Sequence, residues 1–229
     1  MKLLLIAYEY PPILGPQSLR WFYLANELVA AHDDLRLHVL TADIKDIWGF
    51  SGVIHQKIKV RRVFPGPFIG LSGWLATRMR KKQKTFPTFL TGKTGLLTKI
   101  YLCLRQILNQ VIFPDVRTEW LPFAWIAMKR LMKQHDFDVV ISAYEPGVNL
   151  MLGWLNKKKH RNKTWILDMA DPLITPYTPK WRLPLDKMME KKICRMADHI
   201  LVTTPELIFL FNKRHGIPTH KFTVIRQGF

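Results

Sequence analysis

Apolar residues in this chain fall into short unbroken runs, separated by longer stretches where they recur every three or four positions. The runs at 2–7, 35–41, 58–63, 138–142, 164–168, 199–203 and 222–226 predict seven β-strands. Most are apolar at consecutive rather than alternate positions, the pattern of strands covered on both faces. Between them, helical spacing predicts helices at 18–31, 97–112, 119–134, 147–158, 183–197 and 205–214. Strand and helix in alternation imply an α/β fold, a parallel sheet with crossover helices on its faces. No repeat and no Gly- or Ser-rich linker interrupts the series. The 229 residues could make one large domain or two small ones, and suffice to bury a real core.

One region breaks the alternation. Residues 64–74, from Phe64-Pro-Gly-Pro-Phe to Trp74, are apolar and rich in turn formers, and Arg78-Met-Arg-Lys-Lys-Gln-Lys84 follows. Beyond it Leu97, Ile100, Leu104, Ile107, Leu108 and Val111 make one stripe at helical spacing. Helix 183–197 carries a similar stripe of Leu185, Met189, Ile193 and Met196, with Lys187, Lys191 and Arg195 largely opposite. Both stripes are read as facing the core, the usual role of an amphipathic helix in a globular domain. The basic, apolar span of about 64–112 is accordingly read as an insertion in a single domain covering 1–229.

Charge changes this picture more than any other compositional fact. The formal net charge is +18. From Ile47 to Pro114 there is no Asp or Glu but there are twelve bases, and Lys157, Lys158, Lys159, Arg161 and Lys163 form a second cluster. Such surfaces attract polyanions, either nucleic acid or an anionic leaflet. No run reaches the ~18 apolar residues of a spanning helix. The opening Met1-Lys-Leu-Leu-Leu-Ile-Ala-Tyr-Glu9 stays apolar too briefly for a signal peptide and reads as a first strand of a cytosolic protein. Cys103 and Cys194 lack metal-ligand spacing and read as buried thiols.

Three connections carry candidate chemistry. The strand Thr164–Leu167 runs into Asp168-Met-Ala-Asp171-Pro172. Acids just past the carboxyl end of a buried strand lie where open α/β sheets place their ligands, and could orient a hydroxyl or accept its proton. An Asp before Pro also starts turns and caps the next element. The first strand leads through Tyr8-Glu-Tyr-Pro-Pro-Ile-Leu-Gly15-Pro-Gln17-Ser18 into a helix. A glycine-bearing loop at a helix amino terminus suits a phosphate. It serves equally as a rigid connection with Ser18 as its N-cap, and it matches neither the dinucleotide nor the Walker A glycine pattern. Third, Ser142-Ala-Tyr-Glu145-Pro-Gly147 joins another strand to a helix. All three loops leave the same sheet edge, so Gly15, Glu145 and Asp171 would line one crevice. The histidines show no metal spacing and no Ser/His/Asp or Cys/His arrangement is suggested. Trp120, Trp125, Trp154 and Trp181 read as packing residues.

In order and spacing these segments resemble the amino-terminal, acceptor-side domain of a family 4 retaining glycosyltransferase of the GT-B fold. The resemblance runs from Leu3-Leu-Leu-Ile-Ala-Tyr-Glu-Tyr-Pro-Pro12 with Gly15 and Ser18-Leu-Arg20, through the helix around Leu24–Leu28 and the strand Leu37–Thr41. Phe113-Pro-Asp115, Trp120 and Phe137–Ser142 follow. Asp168–Pro172, the helix through Glu190 to Asp198, and Val224–Phe229 complete it. The family usually has two adjacent glycines in the first loop, where this chain has Gly15-Pro16, and proline removes one N–H donor.

The resemblance implies a Rossmann-like parallel sheet flanked by helices, one half of a GT-B fold, facing a second domain that binds the nucleotide sugar. That second domain is absent from these residues, leaving an excised domain, a truncated gene or a natural half-enzyme as readings, and the chain alone is expected to be inactive. By resemblance, Asp171 orients the acceptor hydroxyl and Asp168, Glu145 and Arg20 bind the acceptor. Gly15, Gln17 and Ser18 meet the donor phosphates. The acceptor is expected to be a lipid-linked or cell-surface polysaccharide, approached at the inner face of the cell membrane, with Arg78, Arg80, Lys81, Lys82 and Lys84 on the anionic surface. Neither metal nor other cofactor is called for. Composition leaves two other readings: a non-catalytic membrane-associated interaction module, and a nucleic-acid-binding protein. For the latter no helix-turn-helix, zinc-finger or RNA-recognition motif is present, and nucleic acid is not expected as a partner.

Overall fold

A computed structural model describes residues 1–44, 50–70, 112–176 and 178–227. Its strands are β1 (Lys2–Ile6), β2 (Arg36–Ala42), β3 (Ile58–Val63), β4 (Val139–Tyr144), β5 (Thr164–Met169), β6 (His199–Val202) and β7 (Phe222–Val224). The helices are α1 (Pro16–Ala31), α2 (Leu121–Gln134), α3 (Gly147–Lys159), α4 (Leu183–Met196) and α5 (Pro205–His215), with single 3₁₀ turns at Val116–Trp120 and Thr219–Lys221. All seven expected strands are present, with ends shifted by a residue or two. The expected helix over 97–112 lies outside the described residues, up to residue 111, as do Arg78, Arg80, Lys81, Lys82 and Lys84.

The strands form one parallel sheet in the order β3-β2-β1-β4-β5-β6-β7. The chain therefore steps outward from β1 through β2 to β3. It returns to pair β4 against the free side of β1, then steps outward the other way. β1 and β4 flank the place where the direction of winding reverses, where doubly wound sheets leave a crevice beyond the strand carboxyl ends.

Side-chain alternation divides the core into two layers. Leu3, Leu5, Leu37, Val39 and Ile141 point to the face that α1 covers with Trp21, Ala25 and Val29. Leu4, Ile6, Leu40, Val140, Trp165 and Leu167 point to the other face, where the first 3₁₀ turn brings Trp120 and helices α2 and α3 bring Met128, Val148 and Leu152. The unbroken apolar runs are thus explained, since the interior positions of the central strands β1, β2, β4 and β5 are covered on both faces. α3 lies so close to the sheet that a Cβ on Gly153 would stand 2.0 Å from Ser142 Oγ and 2.5 Å from Trp165 Nε1. α5 ends at Gly216, whose φ of 66° is the left-handed conformation that favours glycine at a helix end. Among the described residues no helix is long and apolar enough to cross a membrane.

Candidate functional site

The crevice is built by the connections after β1, β4 and β5. β4 and β5 are in register from Val139 with Thr164 to Tyr144 with Met169. Glu145 and Asp171 therefore follow within one and two residues of a paired position, and both are exposed. The β1 connection is fastened to its neighbours through Tyr8. Tyr8 N donates to Asn149 Oδ1 at 3.1 Å, Asn149 Nδ2 donates to the Ala143 carbonyl at 2.7 Å, and Thr41 Oγ1 donates to the Tyr8 carbonyl at 2.9 Å. One buried asparagine on α3 thus ties the ends of β1 and β4 together.

Beyond Tyr8 the surface is acidic around one arginine. Arg117 Nη2 meets Glu9 Oε1 at 2.7 Å. Asp115 accepts from Arg117 N at 2.8 Å and from Gly147 N at 3.0 Å, so it caps the 3₁₀ turn and the first turn of α3 together. Burial raises the Asp115 carboxyl above the ordinary range, against the pull of Arg117 and both backbone donors. Partial desolvation by its neighbours also raises the Glu145 carboxyl, exposed though the residue is. Arg117 opposes that shift, while Asp171, Asp115 and Glu9 add to it. The Tyr8 phenol is buried with no hydrogen-bond partner among the described residues, and its acidity is suppressed chiefly by that burial. The arrangement offers carboxylate acceptors to a polyhydroxylated molecule, and Glu145 and Asp171 have no ion-pair partner among the described residues.

The other predicted site residues separate on inspection. Gly15 is the N-cap of α1, and no side chain caps that helix, which leaves its leading N–H groups open to an anion. Glu9 Oε2 lies 2.8 Å from the position a Gly15 Cβ would take, so only glycine lets the carboxylate come this close. Gln17 is half-buried beside it. Ser18 is buried and its hydroxyl donates to the Ile13 carbonyl at 2.6 Å, so it folds the loop and has only its backbone N–H to offer a phosphate.

Asp168 and Arg20 depart from the expectation that they bind the acceptor. Strand β5 continues through Met169, so Asp168 lies within it, on the face covered by α1. Arg20 Nη2 meets Asp168 Oδ1 at 3.3 Å, both side chains fully buried, and Trp21 Nε1 donates to Asp168 Oδ2 at 2.8 Å. Arg20 Nη1 donates to the Arg226 carbonyl at 2.9 Å. The pair is an internal clamp between α1, β5 and the segment after β7, closed to an external ligand.

Glu190 is the functional-site residue whose role the sequence left unread. Buried on α4, it accepts from Leu173 N at 2.8 Å and, on its other oxygen, from Arg214 Nη1 at 2.8 Å and His215 Nε2 at 2.6 Å. It holds the loop bearing Asp171. Glu9, Asp115, Arg117 and Asn149 were likewise unread as site residues. The signal for Asp115 was present as an acid two residues before Arg117 at a helix start.

The model of the family described as Glycosyltransferase Family 4 matches residues 87–229. Among solved structures, the chain is similar to two of sucrose-phosphate synthase from Thermosynechococcus elongatus. One superposes with a TM-score of 0.56 at 14% identity over 99% of this chain and 88% of that one. The other gives 0.62 at 17% identity over 98% of this chain and 47% of that one, so this chain spans about half its length. No curated protein sequence matches the chain.

Proposed function

Because the chain belongs to glycosyltransferase family 4, we propose that residues 1–229 form the acceptor-binding lobe of a retaining enzyme. That enzyme transfers a sugar from a nucleotide-sugar donor to a lipid-linked or cell-surface polysaccharide acceptor. The observation that carries the reading is the reversal of strand order between β1 and β4, with exposed Glu145 and Asp171 beside it. The donor nucleotide belongs to a second lobe, and this lobe alone is expected to be inactive.

In retention the bond between the anomeric carbon and the donor phosphate breaks on the same face on which the acceptor oxygen bonds. The departing phosphate can then take the hydroxyl proton, so this lobe needs to orient the acceptor rather than supply a strong base. Asp171 is assigned to the reacting hydroxyl and Glu145 to a neighbouring one. Gly15 and Gln17 at the uncapped start of α1 are assigned to the donor diphosphate, with Ser18 N–H beside them. Asp168 and Arg20 hold α1 against β5 from inside. Arg78, Arg80, Lys81, Lys82 and Lys84 are assigned to an anionic leaflet at the inner face of the membrane, each contributing about 1 kcal/mol.

The test is acceptor turnover in a two-lobed enzyme carrying this chain. Asp171→Asn and Glu145→Gln are expected to lower kcat by about a hundredfold through lost alignment, with the urea midpoint unchanged. Undiminished turnover in both variants removes the acceptor-orienting role.

A further inference from the structure

The amino-terminal edge of the sheet, opposite the crevice, carries a concave basic surface where α3 and α4 end. Lys157, Lys158, Arg161, Lys192, Met196 and Asp198 line a groove of about 520 Å³. We propose that this groove binds a phosphate-bearing anion at a site separate from the crevice and independent of the sugar-transfer reading.

Helix carboxyl ends attract cations for their own sake, so lysines there need not signal a ligand. In this groove His160 N caps the end of α3 by donating to the Asn156 carbonyl, and two other lysines are engaged with backbone. Lys157 Nζ donates to the carbonyls of Arg161 at 3.0 Å and Lys163 at 2.8 Å, and pairs with Asp198 Oδ2 at 2.6 Å. Lys221 Nζ covers the carbonyls of Arg195 at 3.0 Å and Ala197 at 2.6 Å beyond α4. The one acid in the groove is doubly engaged, since Asp198 Oδ2 also accepts from Trp165 N at 2.7 Å. Lys158, Arg161 and Lys192 remain, all exposed and with no carboxylate partner among the described residues.

Two of these three are held in place rather than free to disperse. Lys158 Nζ and Lys192 Nζ lie over the Trp154 ring at 4.8 and 4.9 Å from its centre, and Trp154 is itself fixed by Nε1 donating to Met196 Sδ at 3.0 Å. One aromatic ring thus anchors two ammonium groups from different helices along the groove that Arg161 also lines. Three cations without a carboxylate partner among the described residues suit the oxygens of a phosphate or diphosphate. A duplex, with its long row of phosphates, fits a compact hollow less well.

The experiment is calorimetric titration of inorganic pyrophosphate into the full chain, paired with co-sedimentation on phosphatidylglycerol and phosphatidylcholine vesicles. Saturable pyrophosphate binding is expected, weakened at least about fivefold by Lys158→Glu combined with Lys192→Glu and unchanged by Asp171→Asn. Arg161→Gln, which leaves the backbone carbonyl bound by Lys157 in place, should weaken it less and guards against a folding defect. Binding to phosphatidylglycerol vesicles without pyrophosphate binding, lost in the same double variant, supports the site and assigns its phosphate to a lipid headgroup. Affinities for both probes untouched by the reversals, no binding of either probe, or tighter binding to a DNA duplex than to either would overturn the proposal.

Discussion

Asp168 and Asp171 are three positions apart and read alike in the sequence, yet one is an internal strut and the other is exposed. The difference is the phase of β5. Because the strand runs through Met169, Asp168 shares a face with Ile166 and meets α1, whereas Asp171 has left the sheet. Truncating Asp168 to Ala strands the fully buried Arg20 guanidinium and the Trp21 N–H. Breaking such a pair costs about 3–5 kcal/mol, while Asp171→Asn at an exposed position should fall within about 0.5 kcal/mol of wild type. Urea midpoints of the two variants separate the roles, and equal midpoints would mean that the clamp carries no load. The sequence showed that acids sit near the end of this strand. It could not show which of them the pleat turns inward, because one residue of strand length decides it. Arg20, assigned by resemblance to the acceptor, is instead turned inward by α1 onto Asp168 and the Arg226 carbonyl.

At the scale of elements, apolar periodicity located all seven described strands and helices α1 to α5 but not the helical turn at 67–70, and it failed where packing distance matters. Gly153 in α3 carries no sequence signal that sets it apart, yet Ser142 Oγ and Trp165 Nε1 occupy the space its Cβ would need. Those two atoms hydrogen-bond each other at 3.1 Å and sit on strands that cannot retreat. Gly153→Ala is therefore expected to destabilise by about 1–3 kcal/mol despite alanine's better helix propensity, read as a fall in thermal midpoint. A gain in stability would show that α3 can slide outward. Strand β2 supplies a pH-dependent element. His38 on β2 packs its ring 4.4 Å from that of His135 just beyond α2. Burial, then His135, Lys59 and Lys2, lowers its pKa from 6.5 to about 4. Unfolding frees the imidazole to take up a proton. Its contribution to stability is thus whole above about pH 6.5 and drains away as the pH falls toward 4. His38→Gln should flatten the stability profile across that window by on the order of 1 kcal/mol, after allowance for partial solvent screening. Urea titrations at pH 7 and pH 4.5 test this, and parallel losses in variant and wild type would place the acid sensitivity elsewhere.

For the whole molecule, the order of strands was not legible, because periodicity is blind to which strand lies beside which. That the three loops share one edge followed from parallel winding alone, while the position of the reversal between β1 and β4 required the structure. Net charge was legible at once, but its distribution was not. With 17 acids against 35 bases, Glu9, Asp115, Glu145 and Asp171 gather around the crevice while Asp168 and Glu190 lie inside. The remaining eleven acids cannot offset 35 bases, so the folded chain repels itself more than the expanded one does. Raising ionic strength from about 0.01 M to 0.15 M shortens the screening length from ~30 Å to ~8 Å. That range spans most of the protein's like-charge separations but leaves contacts such as Arg117 with Glu9 at 2.7 Å largely intact. The thermal midpoint should therefore rise with sodium chloride, by about 2–4 °C for each kcal/mol of repulsion relieved in a chain of this size. Exposed pairs such as Lys57 with Asp33 pull the other way, at about 0.2–1 kcal/mol apiece. Being few beside an excess of 18 positive charges, they should lose the contest. A midpoint that falls with salt would reverse that ranking and make surface pairing, not self-repulsion, the dominant electrostatic contribution to stability.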